Sequence, residues 1–122
     1  ELAPTGLRRL RDGQRQYLPD WRERPVHALA GIGHPARFFA SLSAQGLKVH
    51  PHALPDHYDF EHWPTLTPTD WPVIVTTKDA IKLDAARLPQ EVYVLEVSAV
   101  LPPDFWAAFD ASVDRVLERP HG

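Results

Sequence analysis

The stretch Val26–Phe39, which reads VHALAGIGHPARFF, constrains the fold of this chain more than any other part of the sequence. It begins with a short apolar run, Val26–Ala30, whose length suits a buried β-strand. Gly31–Gly33 interrupts that run, and Pro35 then opens a segment with helical spacing, because proline suits the first turn of a helix. The stretch therefore predicts a strand, a glycine-rich turn and a helix. In α/β domains this arrangement often holds a ligand, since free N–H groups and the helix dipole favour anions.

Hydrophobic patterns elsewhere predict the rest of the fold. A ribbon that turns at Asp12-Gly13 is expected near the N-terminus, and Pro51 marks the strand around it as an edge strand or a short strand. The order of elements implies a Rossmann-like three-layer αβα domain with a mostly parallel sheet of four to five strands. The remaining strands are predicted over Leu47–Leu54, Pro72–Thr77 and Glu91–Val97, and the remaining helices over Asp79–Arg87 and Leu101–Arg119.

Length and composition limit the class of protein. The 122 residues suffice for one core, the absence of cysteine excludes disulfides and thiolate sites, and no apolar run is long enough to span a bilayer. Residues 1–24 carry a net charge of +2 and the remainder −5, with no basic face interleaved with aromatic residues, which argues against nucleic-acid binding. Residues 1–25 lack a methionine start and a clear periodicity, and we expect a linker or ribbon there, ahead of an α/β domain over 26–122.

Three turns follow predicted strand ends. They are Gly31–Pro35, Asp56–Phe60 and Thr76–Lys82. Because the carboxyl ends of parallel strands meet at one edge of a sheet, we expect these turns to converge there and to form the site.

The glycine-rich turn admits two interpretations. Gly31-x-Gly33-x-x-Ala36, with Asp56 further along, satisfies a permissive dinucleotide-binding fingerprint. Pro35, however, removes an N–H that a pyrophosphate would need, and the chain is too short for two mononucleotide-binding halves. The alternative is a tight turn that lets the strand and the helix pack closely.

Histidines near the second turn also leave alternatives open. His50 and His52, followed by Asp56 and His57, have residue types that suit zinc or manganese, but Pro51 disturbs the strand geometry, and packed or exposed histidines are the favoured alternative. Asp56-His57 alone can act as an acid–base pair. Otherwise Asp56 caps a turn while His57 packs on Tyr58 or Phe60.

The third turn carries hydroxyls and a cation. Thr77 and Lys78 could hold a phosphate, with Lys82 on the same helical face as Lys78. The alternative is ordinary capping, with Thr77 as the N-cap and Asp79 in the first turn. The sequence contains no GxxxxGK[ST] phosphate loop, so it lacks the parts for phosphoryl transfer on its own.

Three segments together resemble the C-terminal domain of the tetraacyldisaccharide 4′-kinases, the lipid A 4′-kinases of Gram-negative bacteria. They are Ala28–Phe39 (ALAGIGHPARFF), Leu54–Phe60 (LPDHYDF) and Val75–Lys82 (VTTKDAIK). The family patterns are AGIG-x-P-x-x-FF, DH-x-x-F and T-E-K-D-A-x-K. This chain departs from them at His34, where Asn is usual, and at Thr77, where Glu is usual.

The resemblance implies the lobe of a kinase that uses ATP and Mg²⁺ to phosphorylate the 4′-hydroxyl of the lipid A disaccharide 1-phosphate. Such an enzyme works at the cytoplasmic face of the bacterial inner membrane. ATP and Mg²⁺ would be bound mainly by an N-terminal P-loop domain that precedes this stretch, so no cofactor is expected in this chain and the chain alone is expected to be inactive.

The resemblance also implies roles for the residues of the three turns. His57, with Asp56, would support a catalytic carboxylate from the other domain, and four residues would line the interdomain cleft: Gly31, Gly33, Lys78 and Asp79. Two other functions stay open. The chain could be a stand-alone nucleotide- or anion-binding module, or a lobe that only docks and hinges.

Overall fold

The computed structural model describes residues 2–99, which form six strands in one sheet. The helix predicted over Leu101–Arg119 lies outside the described residues. Two short 3₁₀ turns, Leu18–Trp21 and Ala85–Arg87, accompany the regular elements. These elements are, in chain order, β1 (Leu2–Arg9), β2 (Arg15–Gln16), β3 (Pro25–Ala30), α1 (Pro35–Ala44), β4 (Lys48–Ala53), β5 (Val73–Val75), α2 (Thr77–Ala80) and β6 (Val92–Ala99).

The sheet has the order β2-β1-β6-β5-β3-β4. β3 pairs in parallel with β4 and β5, and β5 pairs in parallel with β6, whereas β1 runs antiparallel to both β6 and β2. The α/β class is therefore confirmed, as is the edge position of β4. The sheet is wider than predicted because the N-terminal ribbon joins it.

The ribbon belongs to the sheet and to the core. Leu7 is fully buried and lies opposite Leu95 in the pairing of β1 with β6. Leu18 and Trp21 pack in the same core cluster as Leu7. The ribbon, one of the two forms expected for residues 1–25, is thus part of this sheet, because β1 pairs with β6 and Leu18 and Trp21 pack in the core. A preceding P-loop domain stays a prediction.

The central strand, turn and helix agree with the sequence. Every residue of β3 after Pro25 is buried, and α1 begins at Pro35 as predicted. Phe38 and Leu42 form the buried face of α1. Gly46 follows the helix with φ +93°, the left-handed conformation that favours glycine after a helix C-terminus.

The two faces of the sheet are covered differently. α1 and the Leu18–Trp21 turn cover one face, whereas the irregular segment 54–72 and the chain after α2 cover the other, so helices on both faces are not confirmed. The continuous helix predicted over Asp79–Arg87 is wrong. α2 ends at Ala80, and Asp84 accepts a hydrogen bond from the Ala86 N–H, which starts the separate 3₁₀ turn Ala85–Arg87. Within residues 2–99, no helix has the length and apolar character needed to cross a membrane.

Candidate functional site

The three predicted turns converge at the carboxyl edge of the parallel strands, as expected. The Gly31 N–H donates to Asp79 Oδ2 at 2.9 Å, which joins the first turn to the third. The His57 N–H donates to the Gly31 carbonyl at 3.0 Å, and Lys82 Nζ donates to the Tyr58 carbonyl at 3.1 Å. Each turn is therefore hydrogen-bonded to the other two.

Asp79 lies at the centre of this arrangement and is fully buried. Its Oδ2 accepts hydrogen bonds from the Gly31 N–H and, at 3.1 Å, from the Thr76 hydroxyl. Its Oδ1 has no hydrogen-bond partner among the described residues and lies 3.7 Å from Lys82 Nζ. Asp79 was expected to line the cleft. That role stays a prediction; in this structure the Asp79 carboxylate is buried beneath the turns, where it accepts the Gly31 N–H and lies near Lys82.

The cap of α2 is Thr76, so the prediction of Thr77 as the N-cap is wrong by one residue. Thr76 Oγ1 accepts the Asp79 N–H at 3.1 Å. Thr77 and Lys78 are exposed. Because α2 ends at Ala80, Lys78 and Lys82 do not share a helical face. Lys82 instead pairs with Asp79 and donates a hydrogen bond to the Tyr58 carbonyl.

Gly31 allows the first two turns to approach each other. A Cβ added there would lie 3.0 Å from Tyr58 Cβ and 3.3 Å from the Pro55 carbonyl oxygen. At Gly33 the nearest atom to an added Cβ would be Asp56 Oδ2, at an ordinary 3.4 Å. The glycine pattern thus serves close packing at Gly31, which is the alternative to the dinucleotide interpretation.

Asp56 and His57 lie on the exposed side of the edge. The His57 side chain is 84% exposed and its Nε2 is 3.8 Å from Asp56 Oδ2. The alternative in which His57 packs on Tyr58 or Phe60 is wrong, because the His57 side chain is mostly exposed, while those two rings pack against each other at 5.0 Å. His57 has φ 64°, a conformation that is uncommon outside glycine. The turn therefore exposes the His57 imidazole to solvent, while the His57 N–H is hydrogen-bonded to the Gly31 carbonyl.

A groove of about 770 Å³ opens beside the edge between α1 and the ends of β5 and β6. Its lining is largely apolar, with Ile32, Phe38 and Leu95 among the contributors. His34 and Lys78 line it as well, so the first and the third family motifs share one surface.

A buried histidine, His27 on β3, was missed in the sequence. Its Nδ1 lies 3.0 Å from His52 Nε2, and its Nε2 lies 2.8 Å from the Pro68 carbonyl oxygen. Since a carbonyl only accepts, His27 Nε2 carries the proton. Burial lowers the pKa of His52, and the neighbouring His27 and His50 lower it further. The alternation along β3, which places His27 on the same face as Leu29, is the signal that could have revealed it.

The histidines do not assemble with the Asp56-His57 turn. His50 and His52 face His27 and Trp71 on the strand surface, whereas Asp56 and His57 belong to the edge. Across residues 2–99, no group of three His, Asp or Glu side chains is arranged to hold a metal ion. The structure therefore favours packed histidines over a metal site.

The fold and this edge define the class of protein: a mixed α/β domain that presents an Asp-His turn and a lysine at the carboxyl ends of parallel strands. The family model described as tetraacyldisaccharide-1-P 4′-kinase (LpxK) matches residues 1–114. The chain belongs to this family, and the resemblance of its three motifs is confirmed.

Relatives and a solved structure agree with this membership. Two proteins named tetraacyldisaccharide 4′-kinase are 40% identical to the chain. The one from Verminephrobacter eiseniae matches over 90% of this chain and 25% of its own length, and the one from Pseudomonas aeruginosa strain LESB58 over 97% and 36%. The chain thus spans between a quarter and just over a third of these relatives. The crystal structure of apo-form LpxK from Aquifex aeolicus in complex with ATP superposes with a TM-score of 0.65 at 25% identity, over 88% of this chain and 32% of that one.

Proposed function

We propose that this chain is the C-terminal lobe of an ATP-dependent kinase that phosphorylates the 4′-hydroxyl of the lipid A disaccharide 1-phosphate. The observation that carries the proposal is the Asp56-His57 turn, which presents an exposed imidazole at the carboxyl edge of the sheet in a member of the 4′-kinase family. Partial coverage of the relatives supports a preceding domain that carries the phosphate loop.

His57 is assigned a supporting role in the composite site. A histidine that donates a hydrogen bond to a catalytic carboxylate holds that carboxylate in place and tunes its basicity, while positioning and electrostatics do most of the work in phosphoryl transfer. The exposed His57 ring is free to meet such a carboxylate from the N-terminal P-loop domain, and Asp56 Oδ2 lies 3.8 Å from its Nε2. Gly33 and Lys78 are assigned to the same interdomain cleft.

The donor set of the described residues does not fit a magnesium or triphosphate site. Asp56 is the acidic side chain beside His57 and Gly33, and Asp79 is buried under the turns. Residues 2–99 contain neither a phosphate loop nor a cluster of carboxylates arranged for a metal. The proposal therefore assigns ATP and Mg²⁺ to the preceding domain and derives no step through them here.

Contact with the substrate lipid is assigned to the complete enzyme at the cytoplasmic face of the inner membrane. The proposal assigns no lipid contact to Arg8 and Arg9, because both pair with acidic side chains within the described residues. Arg8 Nε lies 2.9 Å from Glu96 Oε2, and Arg9 pairs with Asp12 at 2.8 Å. The hydrogen bond from Arg9 lowers the pKa of Asp12 to about 2.

The proposal is tested by assaying the complete gene product and residues 1–122 side by side, with ATP, Mg²⁺ and tetraacyldisaccharide 1-phosphate. We expect the complete protein to yield the 4′-phosphorylated product and residues 1–122 to yield none above the blank. Turnover by residues 1–122 would contradict the assignment as a lobe. Nucleotide binding by residues 1–122, with no activity of the complete protein, would favour a stand-alone binding module.

A further inference from the structure

We infer that the pair formed by the buried Asp79 and the partly exposed Lys82 is a positioning device for His57. The inference rests on the proposed function, in which His57 serves the reaction. It assigns no contact with substrate or nucleotide to Asp79 or Lys82, which act through the turn that carries His57.

Among residues 2–99, no hydrogen bond holds the His57 side chain. It is 84% exposed, and its ion-pair contact there is with Asp56 Oδ2, 3.8 Å away. Where the imidazole points therefore depends on the backbone beneath it, which adopts φ 64°. For a residue other than glycine this conformation is costly and persists only where the surroundings enforce it.

Two hydrogen bonds enforce it, one on each side of the residue. The His57 N–H donates to the Gly31 carbonyl at 3.0 Å. The carbonyl of the next residue, Tyr58, accepts from Lys82 Nζ at 3.1 Å. The turn is thus clamped between Gly31 and Lys82.

Gly31 and Lys82, which form these two hydrogen bonds, both interact with the Asp79 carboxylate. Asp79 Oδ2 accepts the Gly31 N–H at 2.9 Å, and Asp79 Oδ1 lies 3.7 Å from Lys82 Nζ. Asp79 is fully buried, whereas the Lys82 side chain is 29% exposed. A buried carboxylate needs a compensating cation. If Lys82 moved away, Asp79 would be left as an unpaired buried charge, which is energetically costly. The Asp79–Lys82 pair therefore keeps Lys82 hydrogen-bonded to the Tyr58 carbonyl and keeps the Gly31 carbonyl hydrogen-bonded to the His57 N–H.

The test is a double-mutant cycle in the complete gene product, with kcat and KM measured for Lys82→Gln, His57→Ala and the two combined. We expect Lys82→Gln to lower kcat several-fold with little change in KM. In the His57→Ala background, it should change kcat by less than about twofold, because the residue on which it acts is gone. Lys82→Arg, which retains the charge and a donor, should restore kcat towards the wild-type value.

Lys48→Gln is the matched control, because Lys48 is an exposed lysine of the edge strand β4, 3.8 Å from Glu23. It should retain the wild-type kcat. If Lys82→Gln does not fold, Asp79→Asn replaces it in the same cycle, since the amide oxygen still accepts the Gly31 N–H while the charge is removed.

The outcomes separate this inference from the proposed function. If His57→Ala leaves kcat unchanged, the role of His57 fails and the inference fails with it. If His57→Ala lowers kcat but Lys82→Gln keeps its full effect in that background, the inference is overturned and the proposed function stands. A lower Tm for Lys82→Gln with unchanged kcat would also overturn the inference, because the pair would then be merely structural.

Discussion

Among single residues, Gly31 has the least space in the site. It accepts and donates backbone hydrogen bonds in the same turn, and a side chain there would meet Tyr58 Cβ at 3.0 Å. A Cβ atom is fixed by the backbone, so it cannot move aside as the end of a flexible side chain would. Gly33, only two residues away, has ordinary space around it.

Replacing these two glycines with alanine is therefore expected to give different results. Gly31→Ala should lower the free energy of unfolding by about 1–3 kcal/mol, the usual range for forcing atoms into a filled site. Gly33→Ala should stay within about 0.5 kcal/mol of the wild type. Urea unfolding of the complete protein measures both, and equal losses would show that the turn is not tight at Gly31.

A pH-dependent loss of stability is expected from His52. Burial, with His27 and His50 nearby, lowers its pKa below the ordinary 6.5, so the unfolded chain takes up the proton more readily than the folded one. The stabilising contribution is therefore complete above the ordinary pKa and is lost as the pH falls towards the lowered value.

His52→Gln checks this, since the amide can still donate to His27 Nδ1 but does not titrate. We compare the urea midpoints of the two proteins at about pH 7.5 and about pH 5.5, on either side of the ordinary histidine pKa. The wild type should lose more stability over this interval than the variant. Identical pH dependence in the two proteins would rule out His52 as the source.

The sequence predicts the location of the site residues better than their burial. Gly31, Asp56, His57 and Lys78 each follow a strand end, and the carboxyl ends of parallel strands meet at one edge, so their convergence could be predicted. The burial of Asp79 could not, because it depends on a hydrogen bond to Gly31, 48 residues away in the chain.

At the scale of elements, α1 is anchored by its apolar face. Leu42 is fully buried in the cluster that also contains Val26 and Ile74, so the helix and two strands share one core. By contrast, Ile81, directly after α2, is 85% exposed. The two aliphatic residues therefore differ in how much they contribute to folding.

Leu42→Ala is expected to cost about 2–5 kcal/mol of unfolding free energy, the range for cavities left in a close-packed core. Ile81→Ala should change it by less than about 0.5 kcal/mol, since its side chain is already in water. Urea unfolding of the complete protein again provides the measurement. A small effect of Leu42→Ala would mean that α1 is not packed on the sheet as the structure has it.

Elements with strong local signals were predicted correctly, and those decided by distant partners were not. β3 and α1 carry an apolar run, a glycine turn and an N-terminal proline, and they occur where the sequence indicates. The helix over Asp79–Arg87 fails because Asp84 offers the backbone a local alternative. The ribbon was predicted, but its place in the sheet depends on the pairing with β6 at residues such as Leu7 and Leu95.

At the scale of the whole molecule, the chain forms one sheet whose parallel strands β3, β4 and β5 direct their carboxyl ends to the same edge. The N-terminal hairpin extends the sheet laterally beyond β6, and Asp56, His57 and Lys78 are exposed residues at the carboxyl edge. Under the proposed function, the exposed histidine at this edge serves catalysis only when a second domain, which would carry the phosphate loop, completes the site.

The kinetics of His57→Ala in the complete gene product test the proposed supporting role of His57 most directly, with kcat and KM measured for ATP and tetraacyldisaccharide 1-phosphate. The account predicts that kcat falls roughly tenfold or more while both KM values change by less than about threefold, because a group that supports the catalytic base acts in the transition state. His62→Ala, an exposed histidine on the same segment, should retain the wild-type kcat. An unchanged kcat for His57→Ala, or a loss confined to KM, would contradict the account.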